Sequence, residues 1–517
     1  MANKTPNILR WSRIVVASVV TGMLTAVVVS HSMTVPKLAG FLAKIQFIPA
    51  AMAFSLATIV VILIATLLFG RLYCSTVCPL GTFQDLFARL PRLRMHDHRR
   101  DYHYREPSGK LRNLTLSIVA VSIILGMSVV ITFLDPYSLY SRGCVYVLQP
   151  VWIWVSNLFS SRPLTLGAAS ATGIISSFVI LGAIAAVASR SGRLFCNTIC
   201  PVGTTLGYVS RYSVFRIDID TDKCIQCRVC EHVCKSQCID LTSHVVDMSR
   251  CVTCFDCLPV CPNDAIRYTM TRHQLSIPMM MRSRHTVAGS AAGFGGGRVE
   301  ASGKDTLPGA KLMLDRRAFM TAGLVMAASP VIGKMKKATR LAGGLSDKQS
   351  PSVVQIPVTP PGVFDRKEFL DRCTGCGLCI SHCMTGVLRP STTEYGILRA
   401  LHPVKDYDIA KCAIGCTRCT QLCPTGALKP LTKEEKRHSS VGLATVTLTN
   451  CISYSGNRHC GRCAEACRPE AIKMVDKGIA HRGLAPVVDA TLCIGCGACQ
   501  FVCPATPHKA IVVNGFS

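Results

Sequence analysis

Six groups of four cysteines constrain this chain more than anything else in it. Cys224, Cys227, Cys230 and Cys234 are spaced C-x2-C-x2-C-x3-C, and Cys251, Cys254, Cys257 and Cys261 repeat that spacing just before Pro262. Toward the C-terminus Cys373, Cys376, Cys379 and Cys383 follow it again, as do Cys493, Cys496, Cys499 and Cys503 before Pro504. Two groups depart from it. Cys412, Cys416, Cys419 and Cys423 open with a three-residue gap, and Cys451, Cys460, Cys463 and Cys467 open with an eight-residue gap. With 517 residues and 30 Cys, the chain is too long for a small secreted disulfide scaffold. A disulfide framework also spreads its cysteines, whereas these are gathered in short loops. Gathering is what an iron–sulfur cubane needs, because four thiolates must converge on one small inorganic core. Structural zinc is the competing reading, and two complete runs in tandem leave little room for it.

The spacing also assigns ligands. Three thiolates of one loop grip three irons, and the fourth Cys ligates the other cluster of a two-cluster unit. On that rule Cys224, Cys227, Cys230 and Cys261 hold one cluster, and Cys251, Cys254, Cys257 and Cys234 hold the other. The four C-terminal groups supply four more ligand sets, so the count is six [4Fe–4S] clusters. The irregular groups are neighbours in sequence, which suggests that the second C-terminal group pairs with the third and the first with the fourth. Cys144 and Cys238 fall outside every motif and read as ordinary thiols.

The net charge is +28 and 49% of residues are hydrophobic, with a mean hydropathy of +0.35. A basic balance alone would suggest nucleic acid. An apolar basic chain without a nucleic-acid motif fits a membrane protein with basic cytoplasmic loops. Four apolar runs approach bilayer length: Ile14–Ser30, Ala51–Phe69, Leu114–Leu134 and Gly167–Ala188. Between the second and third lie Arg89, Arg92, Arg94, Arg99, Arg100, Arg105, Lys110 and Arg112. The flanking loops carry only Lys37 and Lys44 on one side and Arg142 and Arg162 on the other. This asymmetry puts the N-terminus and the basic loop in the cytoplasm. The external loop then holds Val145–Phe159, whose Trp152 and Trp154 suit a headgroup-level segment and make it a candidate quinone site.

The membrane part repeats itself. Gly-Arg-Leu-Tyr-Cys-Ser-Thr-Val-Cys-Pro from Gly70 returns as Gly-Arg-Leu-Phe-Cys-Asn-Thr-Ile-Cys-Pro from Gly192, so two copies of a two-span hairpin are expected. Cys74 and Cys78 are four apart at a helix end, as are Cys196 and Cys200, and each pair can share one helical face. About a pseudo-twofold axis the four thiols could converge at the cytoplasmic membrane surface. There they would hold a further metal centre or take electrons from quinol, with simple packing as the bland alternative. The resulting fold class is an α-helical membrane domain of four spans in two repeated hairpins, joined to α+β bacterial-type ferredoxin domains. The divisions are 1–211 for the membrane domain, 212–270 for a two-cluster ferredoxin domain and 271–310 for a Gly-rich flexible linker. Residues 311–340 form a twin-Arg segment with a candidate fifth span, and 341–517 form a four-cluster domain.

Arg316-Arg317 before the apolar run Ala318–Gly333 has the form of a Tat export signal. Export would suit a domain that must receive its clusters before crossing a membrane, and it puts the C-terminal domain in the periplasm. No C-x-x-C-H haem motif occurs. No G-x-G-x-x-G opens a helix after a strand, so no flavin or nicotinamide site is read.

On these motifs, residues 1 to about 270 resemble the NapH family of membrane ferredoxin-type proteins. Residues from about 311 onward resemble the NapG family, and MauN and MauM are similar in the same two halves. The chain looks like a fusion of the two. The resemblance implies a quinol-oxidising module of the bacterial inner membrane that passes electrons to a periplasmic reductase or its cytochrome, usually a molybdenum nitrate reductase. Departures from the pattern are the internal position of the twin-Arg segment and Lys235 where Pro often follows the fourth Cys. The rival class is a maturation factor for a periplasmic metalloenzyme.

Overall fold

The computed structural model describes residues 5–30, 36–94, 102–159, 171–270, 356–455, 459–476 and 484–516. The linker at 271–310, the twin-Arg segment and the apolar run behind it lie outside these residues, as do Arg99, Arg100 and Arg162.

The apolar runs make helices because no proline falls within them, although two of the runs break. Helix α1 (Thr5–Val29) runs unbroken for 25 residues. Helices α2 (Pro36–Lys44) and α3 (Phe47–Met52) lead into α4 (Leu56–Phe69). The expected run Ala51–Phe69 is therefore divided, with Phe54 in the left-handed region at φ 54°. Short α5 (Leu72–Thr76) and longer α6 (Pro79–Arg94) follow. The third run also divides, into α7 (Gly109–Ile124) and α8 (Ser128–Leu134). Its break holds Gly126 at φ +65°, where an added Cβ would lie 2.9 Å from the Asp371 carboxylate. Helix α9 (Pro136–Gly143) starts on Asp135, whose side chain accepts from the Tyr137 and Ser138 amides, with Pro136 in the first turn. One π-helical turn, Cys144–Leu148, then joins it to α10 (Gln149–Phe159). The last long helix is α11 (Ala171–Ser191), followed by α12 (Leu194–Thr198) and α13 (Pro201–Ser210). Among the described residues two helices are long and apolar enough to cross a membrane, Asn7–Val29 and Gly173–Ser191, and Leu56–Phe69 is a shorter apolar helix.

Two ferredoxin units flank this helical layer. In the first, β1 (Arg216–Ile219) pairs antiparallel with β4 (Ile266–Thr269), and β2 (Ile239–Asp240) pairs with β3 (Val245–Val246). The C-terminal unit has three more two-stranded antiparallel sheets. They join β5 (Leu388–Pro390) to β6 (Pro403–Lys405), β8 (Ile472–Asp476) to β9 (Leu484–Val488), and β7 (Gly442–Val446) to β10 (Ile511–Gly515). Pro and Gly keep these elements short, so much of each unit is cluster-binding loop.

Each of the four long helical stretches touches the first unit at one end and the C-terminal unit at the other. On α1, Arg10 Nε lies 3.1 Å from Asp256, while Val27, Val28 and Val29 pack with Leu378 and Leu422. On the α3–α4 stretch, Tyr268 donates its hydroxyl to the Phe69 carbonyl at 3.0 Å, and Arg372 lies over the Phe54 ring at 5.0 Å. On α7, Arg112 Nη1 donates to Ser249 Oγ at 3.2 Å, and Gly126 abuts Asp371. On α11, Ile174 joins the cluster containing Leu378, and beyond the other end Arg193 N donates to Lys235 O at 3.0 Å. Between these ends most outward side chains are apolar, including Val15, Val19, Val61, Ile64, Leu114, Val121, Phe178 and Val179, with Ser18 and Ser117 among the polar exceptions. Trp152 and Trp154 are exposed on α10. Arg142, expected on an external loop, is instead buried, and its Nη2 donates to the Thr132 carbonyl at 2.6 Å.

Candidate metal centres

The four regularly spaced cysteine loops wrap because residues on both sides of the second Cys take left-handed backbone. In the first C-terminal group these are Gly375 at φ +59° and Gly377 at φ +79°, conformations that glycine adopts without a steric penalty. The first ferredoxin unit puts Gln226, Arg228, Thr253 and Phe255 in the same conformations, at φ 54°, 61°, 46° and 60°. Non-glycine residues held there store strain, on the order of 1–3 kcal/mol each.

These loops close five cysteine-lined cavities. Cys224, Cys227 and Cys230 line one together with Cys261. Cys251, Cys254 and Cys257 line another together with Cys234 and, in addition, Cys238. Both hold the fourth cysteine of the opposite motif. In the C-terminal unit Cys373, Cys376 and Cys379 share a cavity with Cys423, and Cys412, Cys416 and Cys419 share one with Cys383. Cys493, Cys496 and Cys499 share a cavity with Cys467. Cys460 and Cys463 lie beside Cys451, which packs with Cys503.

The C-terminal pairing differs from the expected one. The first group exchanges its fourth cysteine with the second, and the third exchanges with the fourth. The irregular gaps misled because they sit inside a loop and leave the chain order of the units untouched. The long gap between Cys451 and Cys460 begins with a helical turn, Ile452–Ser455, which is an insertion and not a change of partner.

Electrostatics describe what the cavities require. Burial pushes the Cys230 thiol up to about 12, with Cys261, Cys227 and Cys224 adding to it. Burial and then Cys496, Cys493 and Cys467 push Cys499 up to about 12. Cys463 rises to about 11 by burial, with Cys451 and Cys460 contributing. Four thiolates in one buried cavity repel, and a cationic metal core reverses that penalty. Among the described residues no three His, Cys, Asp or Glu side chains gather tightly enough for a single metal ion. Thiolates on the outer corners of a cubane stand further apart than that, so the donor type and arrangement fit iron–sulfur clusters. Cations adjoin one cavity: Lys436 Nζ lies 3.5 Å from Cys412 Sγ and 2.6 Å from the Ala413 carbonyl, and buried Lys405 lines the same space.

The C-x3-C-P cysteines are arranged differently. Cys74 lies inside α5, whereas Cys78 follows the turn that ends it and precedes Pro79 of α6. The two therefore do not share one helical face. Proline cannot continue the preceding helix, so the motif kinks between its cysteines. The second repeat does the same, and there Cys200 Sγ accepts from the Gly203 amide at 3.4 Å. The repeats cross about a pseudo-twofold. Arg71 Nη2 donates to the Cys196 carbonyl at 3.3 Å, and Arg193 Nη1 donates to the Cys74 carbonyl at 2.7 Å. Gln84 Nε2 lies 3.2 Å from Cys196 Sγ. All four cysteines are buried, and both guanidinium groups are fully enclosed.

A buried charge network joins this region to the first ferredoxin unit. Asp85 meets Arg13 at 2.9 Å, Arg193 at 2.8 Å and Lys235 at 3.3 Å, and Lys235 meets Asp256 at 2.7 Å. Burial opposes ionisation of Asp256, yet Lys235, Arg13 and Arg89 hold its carboxyl below the usual range. Sequence reasoning noted Lys235 only as a departure from Pro. Its partners are distant in the chain, so no local signal marked it. Cys144 is buried among Val27, Val28 and Tyr146, as a packing residue would be.

Cysteine-lined cavities on short ferredoxin folds define an iron–sulfur electron-transfer protein of the ferredoxin type. The 4Fe-4S dicluster domain model matches residues 371–427 and 458–506, and the 4Fe-4S binding domain model matches 51–96 and 174–219. MauM, a methylamine utilization ferredoxin-type protein of Paracoccus denitrificans, is 31% identical over 161 residues, which is 30% of this chain and 70% of that one. The ferredoxin-type protein NapF of Escherichia coli K12 is 30% identical over 155 residues, 30% of this chain and 84% of that one. An uncharacterized protein of Methanocaldococcus jannaschii is 27% identical over 196 residues, covering 37% of this chain and 63% of its own length. The chain belongs to the family of ferredoxin-type proteins that includes MauM and NapF. No solved structure matches it.

Proposed function

We propose that this chain is a membrane-bound electron conduit, which oxidises quinol and delivers the electrons to a periplasmic reductase or that enzyme's cytochrome. The four long helical stretches are its spans, in the order expected of a NapH-type half fused to a NapG-type half. The first ferredoxin unit faces the cytoplasm and the C-terminal unit the periplasm. The observation that carries this reading is the layered architecture, in which each stretch joins one ferredoxin unit to the other. Arg10 and Val28 lie on one helix about 27 Å apart at 1.5 Å per residue, close to the roughly 30 Å hydrocarbon core. The exposed apolar side chains between them suit lipid, where every backbone polar group must be paired within the protein. The exposed Trp152–Trp154 segment is the candidate quinol contact.

Six cysteine sets fit six [4Fe–4S] clusters. When bound, these supply one-electron chemistry at potentials set by nearby charge, hydrogen bonds and exposure. The chain's own residues hold the clusters, shield them from water and place cations beside them. Cys74, Cys78, Cys196 and Cys200 lie between the two units and form a seventh station. Each match to the 4Fe-4S binding domain model contains only two of these cysteines, so one centre takes ligands from both repeats. Arg71 favours an anionic centre there. It is fully buried, and among the described residues its hydrogen bonds go to Asn197, to the Ser249 and Cys196 carbonyls and to Cys74 Sγ, with no carboxylate among them. An unpaired buried cation costs several kcal/mol, and thiolates would offset that.

The test is to add a menaquinol analogue to the reconstituted protein and follow the visible absorbance. Bleaching is expected, and its absence would contradict the proposal.

A further inference from the structure

One cavity holds a cysteine more than a cubane needs. Cys238 is buried and lines the same space as Cys234, Cys251, Cys254 and Cys257. Its Sγ lies 3.6 Å from Cys234 Sγ.

The other motifs serve as internal controls. Cys238 stands four residues after the last cysteine of its group. After Cys503 the same place holds the exposed Pro507, and in the other four groups it holds Ala265 after Cys261, Val387 after Cys383, Ala427 after Cys423 and Ala471 after Cys467. All four are buried. At Ala265 the backbone amide donates to Cys261 Sγ at 3.2 Å, so this position abuts the fourth cysteine. In those four groups an apolar residue lines the cavity there. In the cavity of Cys234, Cys251, Cys254 and Cys257 a metal ligand, Cys238, stands there instead. The loop that carries it is tied to the layer through Lys235, whose carbonyl accepts from Arg193 N at 3.0 Å and whose ammonium meets Asp85 and Asp256.

We propose that Cys238 is an alternative ligand for the iron that Cys234 would hold, which gives this cluster two ligation states. In the exchange the Cys234 sulfur–iron bond breaks and the Cys238 sulfur–iron bond forms. The proton of the Cys238 thiol passes to the released Cys234 thiolate, and no electron is gained or lost. The inference rests on a cluster occupying this cavity, as proposed above.

The experiment uses the full chain with its clusters and compares Cys234→Ala, Cys238→Ala, the double variant and Cys251→Ala. Iron and acid-labile sulfide per chain and the electron paramagnetic resonance of the reduced protein are read. Cys234→Ala and Cys238→Ala should each keep the iron and sulfide of the unmodified chain, with Cys234→Ala shifting the resonance. The double variant and Cys251→Ala should each lose one cluster, about four irons and four sulfides. The proposal is overturned if Cys234→Ala matches Cys251→Ala in lost iron or in failure to accumulate, or if the double variant keeps its full complement. An unmodified chain without iron or sulfide would instead remove the underlying reading of the cavity.

Discussion

At Gly81 and Gly203 one added methyl group would strike the backbone of the neighbouring helix. A Cβ on Gly81 meets the Cys74 carbonyl and lies 3.3 Å from Arg193, and one on Gly203 meets the Cys196 carbonyl and lies 2.8 Å from Arg71. The sequence showed the Gly-Arg and Cys-Pro repeat but not why its glycines matter, because the clash lies across the helix–turn–helix kink. Gly81→Ala and Gly203→Ala should each destabilise the protein by about 1–3 kcal/mol, read as lowered melting temperatures. If either is neutral, the kink of that repeat is not packed as tightly as described. At the Cys383, Cys412, Cys416 and Cys419 cavity, Lys436 favours added negative charge on whatever fills it. Lys436→Gln should lower the midpoint potential of that centre by about 60 mV, a tenfold shift for one electron. Redox titration with and without the substitution checks this.

The elements were legible to different degrees. The apolar runs marked all four helical stretches, but two breaks were hidden within them. Gly126 and Phe54 permit the breaks, and each lies against the C-terminal unit, a contact that no local pattern encodes. The cysteine spacing grouped the cysteines that line each cavity of the first unit, the exchanged fourth cysteine included. It did not give the C-terminal pairing, which depends on which loops fold against each other. Docking of the C-terminal unit can be probed through His402, whose Nε2 lies 3.2 Å from Ser128 Oγ and 3.2 Å from the Leu370 carbonyl. Burial lowers its pKa below the ordinary 6.5. A base with a depressed folded pKa binds fewer protons folded than unfolded. Its stabilising contribution is thus complete above about 6.5 and is lost as pH falls toward the folded value. Melting temperature should fall between pH 7 and 5, and His402→Gln should flatten that slope. An unchanged slope would show that His402 does not report on this contact.

For the whole molecule, the two ferredoxin units and the layer between them make one arrangement that cysteine counts alone could not supply. Chain order predicted a membrane part followed by two cluster domains. Loop charge and the twin-Arg segment put the two units on opposite sides of a membrane, but neither said that each helical stretch would touch both units. If the layer is the bilayer, a protease-sensitive tag after Ser517 should be cleaved from the face opposite the one that exposes a tag in the first unit. The most direct measurement of the conduit uses vesicles with quinol in the membrane and ferricyanide, which cannot cross it, on one face at a time. The account predicts ferricyanide reduction above the protein-free rate on the face of the C-terminal unit, slowed by Cys74→Ala and Cys196→Ala together. Reduction no faster than in protein-free vesicles, or unaffected by that double substitution, would contradict it.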